Sequence, residues 1–179
     1  MSIGLIRGRV VLEPHQPEWD SIAAQTIARL HLLLGDTAAG IEHIGSTSVR
    51  SICAKPIIDL VLGVKDLSAL LRQNPLLEQN GFLCRGQDHP DQHLYICGSG
   101  DFITHHIHAV PYRGEAWNNY VNLRDYLNSH AADAAAYAAL KTSLAAQYAD
   151  DRKTYTAQKS AFIQALLAKA ATWRQQTTA

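Results

Sequence analysis

The sequence predicts an α+β fold, a mixed β-sheet packed by helices with a helical C-terminal extension. Three observations carry this. Strand and helix patterns interleave up to about residue 113, whereas from about residue 130 the chain turns Ala-rich and helical. Ile57 to Val64 is apolar or glycine at every position but Asp59, so that strand needs cover on both faces. The length of 179 residues suits one compact unit, which buries roughly 70% of its unfolded surface without disulfide or metal staples. The expected organisation is an α/β core over 1–113 and a helical part over 114–179 packed on the same core.

Taken in order, Arg9 to Glu13 reads as a short strand stopped by Pro14. Pro17 suits the first turn of a helix whose Ile22, Ala23, Ile27, Leu30, Leu33 and Leu34 form one stripe, ending at Gly35. Ala39 to Ile44 is a strand running into Gly45-Ser46-Thr47-Ser48, a small polar turn suited to opening a helix. Pro56 resets the chain before the strand at Ile57 to Val64. Asp66 can cap a helix through Leu67, Leu70 and Leu71, and Asn80-Gly81 turns into a strand at Phe82 to Arg85. Strands at Gln92 to Cys97 and Phe102 to Val110 read as an antiparallel hairpin across Gly98 to Asp101. Helices follow over about 114–128, 131–149 and 153–175, the second with Tyr137, Leu140, Leu144 and Tyr148 on one stripe.

Bulk features exclude several classes. Lys+Arg and Asp+Glu are both 16, so no global field draws in nucleic acid or an anionic membrane, and a charged partner must be met locally. No run approaches the roughly 18 apolar residues of a membrane span, and Met1 to Arg7 lacks the order of a signal peptide, so a cytoplasmic protein is expected. Cys53, Cys84 and Cys97 are odd in number, lack CxxC spacing and sit beside apolar residues, which reads as buried thiols rather than a redox or zinc site. The unusual count is nine histidines, of which His89, His93, His105, His106 and His108 fall within residues 89–108.

Period-two alternation sorts this cluster. Ile57, Asp59, Val61 and Gly63 share one face of their strand, and Thr104, His106 and His108 share one face of theirs. If the two strands are near one another, an acid and two imidazoles lie together close to the Gly45-Ser46 turn. Unpaired amides at the start of a helix after that turn, with the hydroxyls of Ser46, Thr47 and Ser48, suit phosphate oxygens, and Arg50 and Lys55 can add positive charge. A plain helix N-cap explains the same four residues. Asp59, twelve residues beyond Ser46, can hold Mg²⁺ or another divalent cation beside such a cradle. Otherwise it is a buried structural acid bonded to backbone or to Lys55. His106 and His108 can be metal ligands on one strand face, or hydrogen-bonded or phosphate-contacting groups. His89 and His93 read as solvated loop residues.

The motifs Ile41 to Val49 (Ile-Glu-His-Ile-Gly-Ser-Thr-Ser-Val) and Ala54 to Leu60 (Ala-Lys-Pro-Ile-Ile-Asp-Leu) resemble those of the GrpB family of bacterial proteins. The likeness continues through Thr104 to Ala109, Asn122 to Leu127, Tyr137 with Leu140 and Lys141, and Tyr155, Thr156, Lys159, Phe162 and Ile163, from about residue 9 to 170. Members also resemble a region appended to some bacterial dephospho-CoA kinases. The resemblance implies a nucleotidyltransferase-like fold, with Ile44-Gly45-Ser46 and Asp59-Leu60 at the superfamily's positions. Two departures stand out. Val61 occupies the second carboxylate's place, and His106 and His108 stand on the strand that would give a third acid, a poor set for two hard cations. Arg50-Ser51 replaces the usual Pro-Gly.

Two functional expectations follow. In one, a nucleotide or other phosphorylated small molecule binds over Gly45, Ser46, Thr47 and Ser48 with Lys55 and Lys159. There Asp59, His106 and His108 are catalytic, a divalent cation sits on Asp59 and His108, and nucleotidyl transfer is the implied reaction. In the other, the chain is a non-catalytic ligand-binding or scaffold module with a degenerate site. Arg152, Tyr155 and Lys159 share a helix face, either solvated or folded back on the pocket. A nucleic-acid partner lacks the basic stripe it would need.

Overall fold

The structure is a computed structural model that describes residues 3–177. Met1 and Ser2, the first residues of the segment read above against a leader, and Thr178 and Ala179 lie outside it. Among the described residues six strands form one mixed sheet: β1 (Leu5–Ile6), β2 (Ala38–Ile44), β3 (Ile58–Val64), β4 (Leu83–His89), β5 (Gln92–Ser99) and β6 (Phe102–Pro111). The order is β2-β3-β6-β5-β4, with β1 paired to β6. Only β3 and β6 run parallel; every other pairing is antiparallel. This is the expected α+β mixed sheet, and its helices are α1 (Glu18–Leu34), α2 (Leu67–Leu71), α3 (Asn74–Gln79), α4 (Glu115–Ser129), α5 (Ala131–Gln147), α6 (Arg152–Gln158) and α7 (Ser160–Thr177). No helix among the described residues is long and apolar enough to cross a membrane.

The alternation in β3 sorts the layers. Ile58, Leu60, Leu62 and Val64, all at most 1% exposed, face α1, whose Trp19, Ala23, Leu30 and Leu34 close the larger core. Burial of side chains of this size stabilises by about 1.5–3 kcal/mol each. Val61 faces the other way, into a cluster with Ile44, Val110 and Trp117 of α4. The helical part then closes on Val49 and Ile52 through Tyr126, Leu127, Tyr137 and Leu166.

The close approach of α4 rests on two glycines paired across β2 and β3, Gly40 and Gly63. A Cβ on Gly63 would lie 2.6 Å from the Tyr112 ring and 2.8 Å from that of Trp117, and one on Gly40 would lie 2.7 Å from Tyr112. The two glycines leave a flat patch on which the aromatic rings lie directly on backbone.

Several expectations need correction. Arg9 to Glu13 is not a strand: only Glu13 forms an isolated bridge, to Ala54. Val10 instead buries against Leu144 and Tyr155, so the extended segment leaves the sheet for the helical part. The short β1 was not foreseen. The helix expected over 153–175 is two helices, α6 and α7, joined at Lys159. The polar turn after β2 opens no helix of useful length but a single 3-10 turn, Ser46–Ser48. His89 and His93 belong to a tight β-hairpin rather than a loop; His93 is half-buried on β5 with its Nδ1 shielded from solvent.

Gly63→Ala is expected to lower stability by about 1–3 kcal/mol, since the added methyl overpacks a ring already on backbone. Urea unfolding of the two proteins measures the difference.

Candidate functional site: a cation-lined cavity over the sheet

A cavity of about 500 Å³ lies between the sheet and the helical part. Its floor is built by register. β2 pairs with β3 so that Ile44 lies opposite Asp59, and β3 pairs with β6 so that His106 is beside Asp59 and His108 beside Val61. The acid and both imidazoles therefore share one face, as alternation predicts. Asp59 Oδ1 accepts a hydrogen bond from His106 Nδ1 at 3.0 Å and lies 4.0 Å from His108 Nε2. Donation from Nδ1 leaves His106 Nε2 as that ring's remaining polar atom. Gln92 Nε2 donates to His108 Nδ1 at 3.5 Å, and Gln92 Oε1 in turn accepts from Tyr120 at 3.0 Å.

Burial alone would raise the Asp59 pKa, yet hydrogen bonds and positive charge from His106 and His108 outweigh it and hold the carboxyl well below the usual range. His105 points to the opposite layer, bonded to Thr26 Oγ1 at 3.1 Å, and burial pushes its pKa down to about 4.

Gly45 closes the floor. Its φ of +71° belongs to the left-handed region, and a Cβ there would lie 2.6 Å from Asp59 Oδ2. Only glycine lets the turn cover the carboxylate. The hydroxyls beyond it divide. Ser48 Oγ donates to the Gly45 carbonyl at 2.6 Å and does not line the cavity, and Thr47 Oγ1 is bonded to His43 Nε2 at 2.9 Å. Ser46 and Tyr137 both line the cavity, and burial pushes the Tyr137 pKa up to about 12. Arg50 is exposed, pairs with Asp20 at 3.3 Å and takes no part in the lining.

The walls bring cations. Lys55 precedes β3, Lys141 comes from α5, Arg152 opens α6 and Lys159 sits at the α6–α7 junction; all four line the cavity. Lys141 is 1% exposed and donates to the Cys53 carbonyl. Its ammonium lies 4.8 Å from the Tyr137 ring centre, while Lys159 and Lys55 lie 4.3 and 5.9 Å from that of Tyr155. None of the four has a carboxylate within ion-pair distance among the described residues. Arg124, also in the lining, is spent on Glu42 and Asp125, each at 2.8 Å.

Burial pushes the three lysines down, to about 8 for Lys55 and Lys141 and about 7 for Lys159. Arg152 adds to the drop at Lys55, Lys55 to that at Lys141, and Lys55, Lys141 and Arg152 to that at Lys159. Lys141 is the residue that motif reading left out of the site. The available signal was a charge at i+4 from Tyr137 and i−3 from Leu144, on the stripe that packs inward.

Mg²⁺ or another hard cation on Asp59 and His108 fits this donor set poorly. Asp59 is the one carboxylate of the cavity floor, its Oδ1 already accepts from His106, and magnesium prefers oxygen ligands to imidazole. No group of three or more His, Cys, Asp or Glu among the described residues converges on a metal position.

Asp59→Asn is expected to cost about 2 kcal/mol at pH 7 through the weakened charge-assisted bond. The native pKa is depressed, so the aspartate's contribution exists above the ordinary 3.8 and is lost as pH falls below it. Urea midpoints of wild type and variant should stay apart down to about pH 4 and draw together below it. Lys159 carries the opposite sign. Its charged form is disfavoured in the fold, so the penalty is full below about pH 7 and fades towards the ordinary 10.5. Lys159→Met should raise Tm by roughly 2–4 °C at pH 7, with the gain shrinking towards pH 10.

The comparisons with known proteins agree with one another. The family model described as "GrpB protein" matches residues 9–169. The "Glutamate-rich protein GrpB" of Alkalihalophilus pseudofirmus is 31% identical over 170 residues, covering 92% of this chain and 98% of the relative. The crystal structure of the conserved protein GrpB from Enterococcus faecalis superposes with a TM-score of 0.86 at 27% identity, over 92% of this chain and 99% of that one. A looser likeness, at a TM-score of 0.44 and 13% identity over 64% of this chain and 40% of the other, is found to the structure of Cid1 in complex with its short product ApU. Matched by the family model over most of its length and by a relative almost end to end, the chain belongs to the GrpB family.

Proposed function

We propose that the cavity binds a phosphorylated small molecule, with a nucleotide as the form that suits it best. One observation carries the reading: Lys55, Lys141, Lys159 and Arg152 converge on one cavity whose single lining carboxylate, Asp59, is within ion-pair distance of none of them. Desolvated like charges cost stability, and a bound anion relieves that cost. The space of about 500 Å³ suits a ligand of nucleotide size, and Ile44, Leu123, Leu127 and Ile163 give it an apolar side for an uncharged group. Ser46 and His106 Nε2 add polar contacts at the floor. The helix-end amides expected after Gly45 contribute little, because the 3-10 turn there is only three residues long. Such a ligand is a cytoplasmic metabolite, in keeping with a cytoplasmic location.

Binding without two-metal nucleotidyl transfer is the favoured form of this reading, because Val61 is 0% exposed where a second carboxylate would be needed. Asp59 and His106 still form an oriented pair able to take or give a proton at Nε2.

Thermal unfolding with ATP, GTP, CTP and CoA tests the reading. A ligand at 100 times its Kd adds about 2.7 kcal/mol, a rise of roughly 5–10 °C in Tm for a chain of this size. The rise should be larger at pH 6.5 than at pH 9, where the lysines lose charge, and should vanish in Lys141→Met and Lys159→Met. No rise with any phosphorylated compound at either pH would sink it.

A further inference from the structure

We propose that the cavity takes a chain of two or more linked phosphates as the free anion, its lysines and arginine doing the neutralising that a divalent cation does elsewhere. The inference rests on the anion-binding reading above and adds the ligand's charge and its metal state.

The first step is a charge count. Four cationic side chains face the space against a single lining carboxylate, Asp59, which is bonded to His106; Glu42 and Asp125 are paired with Arg124. A single phosphate monoester brings only about −1.5 to −2 at neutral pH. With the lysines recharged by a bound anion and Asp59 counted against the four cations, one phosphate still leaves positive charge unmatched, whereas a diphosphate or triphosphate comes close to it.

The second step is geometry. The ammoniums of Lys55 and Lys159 both lie by the Tyr155 ring, and that of Lys141 lies by the Tyr137 ring, so the three are anchored at two places rather than at one point. Lys55 and Lys141 both depress Lys159, so the two places are near one another. Rotatable point charges set at two neighbouring places suit an extended chain of phosphates better than one compact anion.

The third step concerns the metal. A Mg²⁺ chelated by the phosphates would remove two of their negative charges and bring its own charge among the ammoniums. The one floor carboxylate that might hold it has Oδ1 bonded to His106 and Oδ2 beneath Gly45. The free anion is thus the better match on both counts.

Isothermal titration at constant ionic strength, with inorganic tripolyphosphate and with ATP, each in EDTA and in excess MgCl₂, tests this. Both should bind at least tenfold more tightly in EDTA, and AMP and inorganic phosphate should bind at least tenfold more weakly than either. Lys159→Met and Lys55→Met should each weaken tripolyphosphate at least tenfold, two variants being used in case one fails to fold. ATP binding more tightly than tripolyphosphate marks a nucleoside polyphosphate as the natural ligand; equal affinity marks the bare chain. Binding that is as tight or tighter with Mg²⁺, or AMP binding as well as ATP, overturns the proposal while leaving the anion site intact. Failure of every phosphate compound overturns both.

Discussion

A carboxylate in a strand covered on both faces has to be partnered, and the parallel register of β3 on β6 supplies that partner by setting His106 beside Asp59. The same register places Leu60 beside Ile107 in the layer under α1. A slip of one residue would turn both imidazoles into that apolar layer and bring Ile107 out of it, with His105, to the face of the acid. Hydrophobic packing on one face and an acid–imidazole bond on the other thus specify one alignment. The floor of the cavity, and the position of everything facing it, follow from that alignment. Gly45 completes the arrangement, since any side chain there would displace the carboxylate from under the turn.

The walls obey a different rule. On the floor the acid has a bonded counterpart, whereas the three lysines above it have only weak ones: two tyrosine rings and the carbonyl of Cys53. Ring faces and carbonyls attract ammonium groups but do not neutralise them. The surplus is tolerated because stability comes from elsewhere, chiefly from the apolar layer between α1 and the sheet. A local arrangement that costs free energy while the rest of the chain is well packed is the usual mark of a functional site.

Much of the floor was legible in the sequence. Period-two alternation put Asp59, His106 and His108 on one face because both strands are long and unbroken, and Pro17 and Gly35 marked the ends of α1. What the sequence hid is non-local. Arg9 to Glu13 has a strand's pattern, but Val10 finds its partners in Leu144 and Tyr155, more than a hundred residues on. The break at Lys159 carries no proline or glycine to announce it. Lys141 was visible as a charge on an inward stripe, yet no pattern within α5 says that Lys55 and Lys159 meet it. The three-residue turn after Gly45 looked like a helix start because capping residues serve both structures.

The cavity's cations come from positions 55, 141, 152 and 159, and its acid from position 59. The sheet by itself holds the acid, the imidazoles and one lysine, a floor with no basic wall. During synthesis the β-sheet segments leave the ribosome first, and the pocket gains its charge only when α5, α6 and the start of α7 have followed and closed over them. On the proposed reading, a chain that stops before residue 141 lacks three of the four cations, and capture of a phosphorylated ligand is a late event in synthesis.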